Sequence, residues 1–95
     1  MTITLSHSLN KDIAQSKVKR LLSMGKHRFT DEISNISERW DGYQGDLTFC
    51  YRKSTISANI MVEPDWIGIT IKLPFILNVF KSKIKSTIEY EFYKE

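Results

Sequence analysis

Apolar side chains recur along this chain with a period of two, then of three to four, then of two again through several turns, and finally of three to four. The opening segment alternates Ile3, Leu5 and His7 against Thr2, Thr4 and Ser6, which predicts a short strand with one buried face. Ser8 or Asn10 can cap a following helix, and Asp12 in its first turn complements the positive end of the backbone dipole. Ala14, Val18, Leu21, Leu22, Gly25 and Phe29 then fall in one stripe at 100° per residue, so this helix is amphipathic. Gly25 lies on that stripe, and the reading for it is a close approach of the helix to a sheet. Ile33 and Ile36 continue the stripe in phase, but Thr30, Ser34 and Asn35 weaken the helix, whose end is expected between Phe29 and Ser34.

From Ile36 the period is two. Turn signals at Asp41-Gly42 and Gln44-Gly45 separate a short strand around Trp40 from Leu47-Thr48-Phe49-Cys50-Tyr51. Two more alternating runs follow. Ile56, Ala58, Ile60 and Val62 point inward in the first, and Ile67, Ile69, Ile71 and Leu73 in the second, beyond the turn at Pro64-Asp65. Strands with one apolar face predict an antiparallel sheet covered on one side and wet on the other. Pro74 suits the first position of a last helix, whose stripe is Leu77, Phe80, Ile84, Ile88 and Phe92. The expected fold is α+β: a two-layer sandwich of an antiparallel β-sheet with two α-helices on one face, in the order β-α-β-β-β-β-α, filling residues 1–95 as a single domain.

The last helix starts with more apolar surface than its stripe can bury. Phe75 and Val79 point roughly opposite Leu77, Phe80 and Ile84, and Ile76 lies on the flank. Either a neighbouring loop carrying Trp66, or the first helix, folds over them, or they form a docking surface. Lys81 and Lys83, with Lys85 and Lys72, put positive charge beside that surface, as an anionic lipid interface requires, although lysines at such places also serve solubility alone.

Composition narrows the function classes. Ninety-five residues leave room for one core, and exclude a large multidomain enzyme. The net charge of +3 is spread over both halves, and the open sheet face lacks the aromatic platforms that bind single-stranded nucleic acid, so nucleic acid is not an expected partner. The start lacks the cationic and apolar blocks of a secretion signal, and no apolar run reaches about 18 residues, which leads us to expect a cytoplasmic protein. One cysteine, Cys50, fits a reducing compartment. On the open face beside Arg52 its thiolate could be favoured, but no base or resolving thiol accompanies it. His7 reads as a hydrogen-bonded packing residue and His27 as exposed. With no recognisable nucleophile, phosphate loop or ligand spacing, neither an enzymatic reaction nor a metal or other cofactor is expected. Trp40 and Trp66 read as plugs near turns.

His7-Ser8-Leu9, the helix with Ala14, Val18 and Leu21, Trp40 followed by a glycine turn and Leu47-Thr48-Phe49, and Leu73-Pro74-Phe75-Ile76-Leu77 leading to Phe80-Lys81 and Ile84 together resemble one family. It is the small polyhydroxyalkanoic acid system family, and the likeness runs nearly the whole chain. Thr30 to Ser37 is expanded relative to that pattern, and the end is Tyr-rich. The resemblance implies a non-catalytic accessory protein of storage-polyester metabolism and supplies no catalytic residues. Phe75, Ile76, Val79, Lys81 and Lys83 would then touch the granule surface, its anionic lipid or protein coat, or a partner enzyme, with the protein peripheral on storage granules. The alternative is a small carrier of a fatty acyl or hydroxyacyl group in a cleft bounded by the helices and Leu47, Phe49, Ile60 and Ile69. A homodimer through the open sheet face or the Phe75/Val79 patch is a further expectation.

Overall fold

The structure, a computed structural model, describes residues 1–94. In chain order these form β1 (Thr2–Ser6), α1 (Lys11–Arg28), β2 (Ile33–Asp41), β3 (Gln44–Tyr51), β4 (Ser54–Val62), β5 (Trp66–Lys72), a 3₁₀ segment (Phe75–Phe80) and α2 (Lys81–Tyr93). The five strands make one antiparallel sheet in the order β1-β5-β4-β3-β2. The α+β fold and its β-α-β-β-β-β-α order therefore agree with the sequence reading, with one change ahead of the last helix.

The alternation sets which face is buried. A row of inward positions crosses all five strands as Ile3, Ile69, Ile60, Gly45 and Trp40, and a neighbouring row runs Leu5, Ile67 and Val62. Both helices cover this face: Ala14 and Val18 of α1 and Phe92 of α2 join the strand residues in one buried cluster. Asn10 caps α1, its side-chain oxygen accepting from the Ile13 N–H at 2.8 Å.

Several local expectations change. α1 ends at Arg28, and Ile33 and Ile36, though in helical phase, belong to β2. The Thr30 hydroxyl donates to the Lys26 carbonyl at 3.0 Å and lies 2.9 Å from that of His27, satisfying the last turn where the helix stops. β2 is thus longer than a short strand around Trp40. A bulge between Ser34 and Ser37, with Asn35 at φ 53°, shifts its register against β3.

Only one of the two glycine signals is a turn. Gly42, at φ 61°, opens the two-residue loop between β2 and β3, whereas Gly45 lies inside β3 beneath Trp40. A Cβ at Gly45 would fall 2.9 Å from the indole ring, so glycine is what lets Trp40 lie flat on the sheet. The β3–β4 loop places Arg52 and Lys53 at φ 50° and 67° without a glycine.

The last helix does not start at Pro74. That residue has ψ 149° and is extended, so it precedes a 3₁₀ segment rather than opening an α-helix, and α2 begins at Lys81. No capping side chain is present there, and the bulky aromatic and β-branched residues Phe75, Ile76, Val79 and Phe80 have poor helix propensity. A 3₁₀ turn also stacks residues three apart into three ridges. Leu77 packs against the core, while the ridge of Ile76 and Val79 is left outside.

Candidate functional site

Phe75, Ile76 and Val79 are 90%, 74% and 82% exposed, and Phe80 is about half exposed. Neither α1 nor the Trp66 loop covers them. Trp66 instead lies on the open sheet face over Gly68, where a Cβ would meet its ring at 2.6 Å. Lys81, Lys83 and Lys85 are exposed beside this segment. Residues 66–88 contain four lysines and no Asp or Glu, so the apolar projection sits in a stretch of one charge sign. Tyr90 and Tyr93 are also exposed but lie toward the far end of α2, where the Tyr93 hydroxyl donates to the Ser6 carbonyl at 2.7 Å.

A second feature lies inside the two layers. The first half of α1 packs tightly through Ala14 and Val18, but its second half stands away from the sheet, leaving Met24 and Phe29 more than 40% exposed. Between that half, α2 and strands β3 to β5 is a part-enclosed cleft of about 350 Å³. Leu47, Phe49, Ile60 and Ile69 line it, as the carrier reading requires, together with Leu21 and Ile88. Among all its lining residues only Arg28, Thr87 and Glu91 carry polar side chains.

Gly25 borders this cleft, and a Cβ there would meet nothing within 4 Å. The expected close approach to the sheet is therefore not what this glycine serves. Gly25→Ala should raise the unfolding free energy by about 1 kcal/mol, the helix-propensity gain alone, measurable as a higher denaturant midpoint. A sealed, empty void of 350 Å³ would cost roughly 8 kcal/mol at about 24 cal/mol per Å³, a large share of the 5–15 kcal/mol typical of a domain. The opening to solvent relieves part of that cost, and a ligand would relieve more.

Charged groups gather at the lip. Arg28 Nη1 is 3.7 Å from Glu91 Oε1, while Glu91 Oε2 pairs with Lys94 Nζ at 2.8 Å. The hydrogen bond from Lys94, with the charges of Lys94 and Arg28, holds the Glu91 carboxyl below its ordinary pKa despite some desolvation. On the other side of α1, Glu38 pairs with Lys26 and accepts from Trp40 Nε1 at 2.7 Å. Partial burial pushes its carboxyl up, but those hydrogen bonds and the charges of Lys26 and Lys19 outweigh it and leave the pKa lowered.

The remaining sequence candidates are not drawn together. The His7 ring is held between the Leu9 N–H, which donates to Nδ1 at 3.1 Å, and the Glu63 carbonyl, 2.8 Å from Nε2, a packing role that ties β1 to the β4–β5 turn. His27 is exposed on α1. Cys50 lies 3.7 Å from Asn35 Nδ2 and 3.9 Å from Thr55 Oγ1, while the Arg52 guanidinium stacks over Tyr51. Among the described residues no group of three or more His, Cys, Asp or Glu comes together to hold a metal, and no helix is long and apolar enough to cross a membrane.

These features define a small two-layer α+β protein with an exposed apolar 3₁₀ turn and an apolar cleft between its layers. Residues 1–95 match the family described as "putative polyhydroxyalkanoic acid system protein", and the chain belongs to that family. No curated protein and no solved structure matches it.

Proposed function

We propose that this chain is a non-catalytic accessory protein of polyhydroxyalkanoate metabolism that attaches reversibly to the storage-granule surface through its 3₁₀ segment. The observation that carries the reading is the outward projection of Phe75, Ile76 and Val79 from the two-layer body. Each such side chain contributes about 1.5 to 3 kcal/mol when fully buried. Three of them therefore support peripheral attachment but not a permanent anchor, once the cost of association is met. Lys81 and Lys83 favour an anionic coat over a neutral one.

The test is co-sedimentation of the purified chain with isolated granules. Phe75→Ser/Val79→Ser should weaken binding about 100-fold or more, taking at least about 1.5 kcal/mol from each side chain and tenfold per 1.4 kcal/mol, and should leave the melting temperature unchanged because both side chains already face solvent. Unaltered sedimentation of a folded double variant would remove this surface from consideration. Binding that requires a granule protein, and is lost on protein-free polymer, would reassign the surface to a protein partner.

The cleft favours a second reading, carriage of a fatty acyl or hydroxyacyl group. The two are compatible, since Leu73 and Ile84, which bracket the 3₁₀ segment, both line the cleft.

A further inference from the structure

We infer that the cleft holds one medium-length acyl chain, about ten to fourteen carbons, with its carboxylate paired to Arg28 at the lip; the size follows by scaling from an engineered cavity of about 150 Å³ that takes benzene. This inference rests on the carrier reading and specifies its ligand. The cleft volume of about 350 Å³ is at the small end of ligand sites, which begin near 300 Å³.

The lining decides the chemistry of the occupant. Beyond Arg28, Thr87 and Glu91, every lining side chain is apolar or absent, so nothing deep in the cleft can satisfy an ester carbonyl or hydroxyl. An oligomer of the polyester, with a carbonyl at every repeat, does not fit this requirement. A single chain with plain methylenes does, provided any hydroxyl lies within a few atoms of the head group, where it remains at the polar lip.

Of the three polar residues, Arg28 and Glu91 sit near the C-terminal ends of α1 and α2, and Thr87 is exposed midway along α2. Glu91 is engaged by Lys94 at 2.8 Å, whereas Arg28 reaches it only at 3.7 Å. The guanidinium therefore keeps donors for a second carboxylate, and its planar fork suits that group. Gly25 is the specificity-determining position on the α1 wall. It has open space where any other residue would place a side chain, so it keeps the cleft wide enough for the chain.

The experiment is calorimetric titration of the delipidated full-length chain with dodecanoate and with 1-dodecanol, alongside Arg28→Gln and Gly25→Leu. The wild-type protein should bind dodecanoate about tenfold more tightly than the alcohol, and Arg28→Gln should erase that preference while retaining the alcohol. Gly25→Leu should lose both ligands and melt at a higher temperature, which separates a filled cleft from an unfolded chain. Equal affinity for the two ligands, or an unchanged preference in Arg28→Gln, would overturn the head-group assignment and leave the carrier reading standing. Failure of the wild type to bind either ligand, or undiminished binding by folded Gly25→Leu, would overturn the cleft assignment and the carrier reading together.

Discussion

Phe92→Ala should lower the unfolding free energy by about 3 to 5 kcal/mol, the cost of deleting a buried aromatic ring. Phe92 is 1% exposed, yet it also lines the cleft, so it acts as a wall between the sealed and open parts of the core. Its ring meets Tyr93 edge-on at 5.1 Å between centroids, and Lys17 Nζ lies 4.6 Å from its centre. Truncation removes those contacts as well as the packing, and urea unfolding followed by far-UV circular dichroism would measure the loss. The variant should also bind apolar dyes more strongly, because the void would merge with the cleft.

Ile67→Ala should cost about 2 to 5 kcal/mol, toward the upper part of that range. Ile67 is fully buried between Leu5 and Val62 on adjacent strands, both 1% exposed, and takes no part in lining the cleft. Removing its atoms leaves a closed cavity with no solvent to refill it. Ile71, on the same strand and face, lines the cleft and is 8% exposed. Ile71→Ala should therefore cost about half as much as Ile67→Ala, since the missing contacts border space that is already open. Equal losses at the two sites in parallel denaturant titrations would show that the core is uniformly packed in solution.

The sheet was readable because its inward face is written in alternating branched residues, from Ile56 to Val62 and from Ile67 to Ile71, and a one-residue slip would turn all of them to water. Asn10 was readable as a cap candidate for the same local reason: its side chain satisfies a backbone N–H three residues on. Ile33 left the helix end open because its spacing from Phe29 matches a helical turn, while Thr30 ends the helix through a contact that periodicity does not register. The Arg52-Lys53 loop carries left-handed residues with none of the usual glycine or asparagine signal.

The candidate site was legible in part. Surplus apolar residues after Pro74 could be counted against one helical stripe, but their 3₁₀ geometry depends on how the chain leaves β5. The side chains bounding the cleft were nameable too. Periodicity does not set the separation of two layers, however, so the same residues describe a filled core equally well. Gly25 was the nearest clue, and its meaning reversed once α1 proved to stand off the sheet rather than press against it.

The irregularity at Asn35 in β2 bears on behaviour at high local concentration. β2 is an outer strand, and a neighbouring copy could in principle continue the ladder from it. The break in register between Ser34 and Ser37 spoils that template over the first half of the strand. Molecules crowded side by side are thereby discouraged from zipping into ribbons.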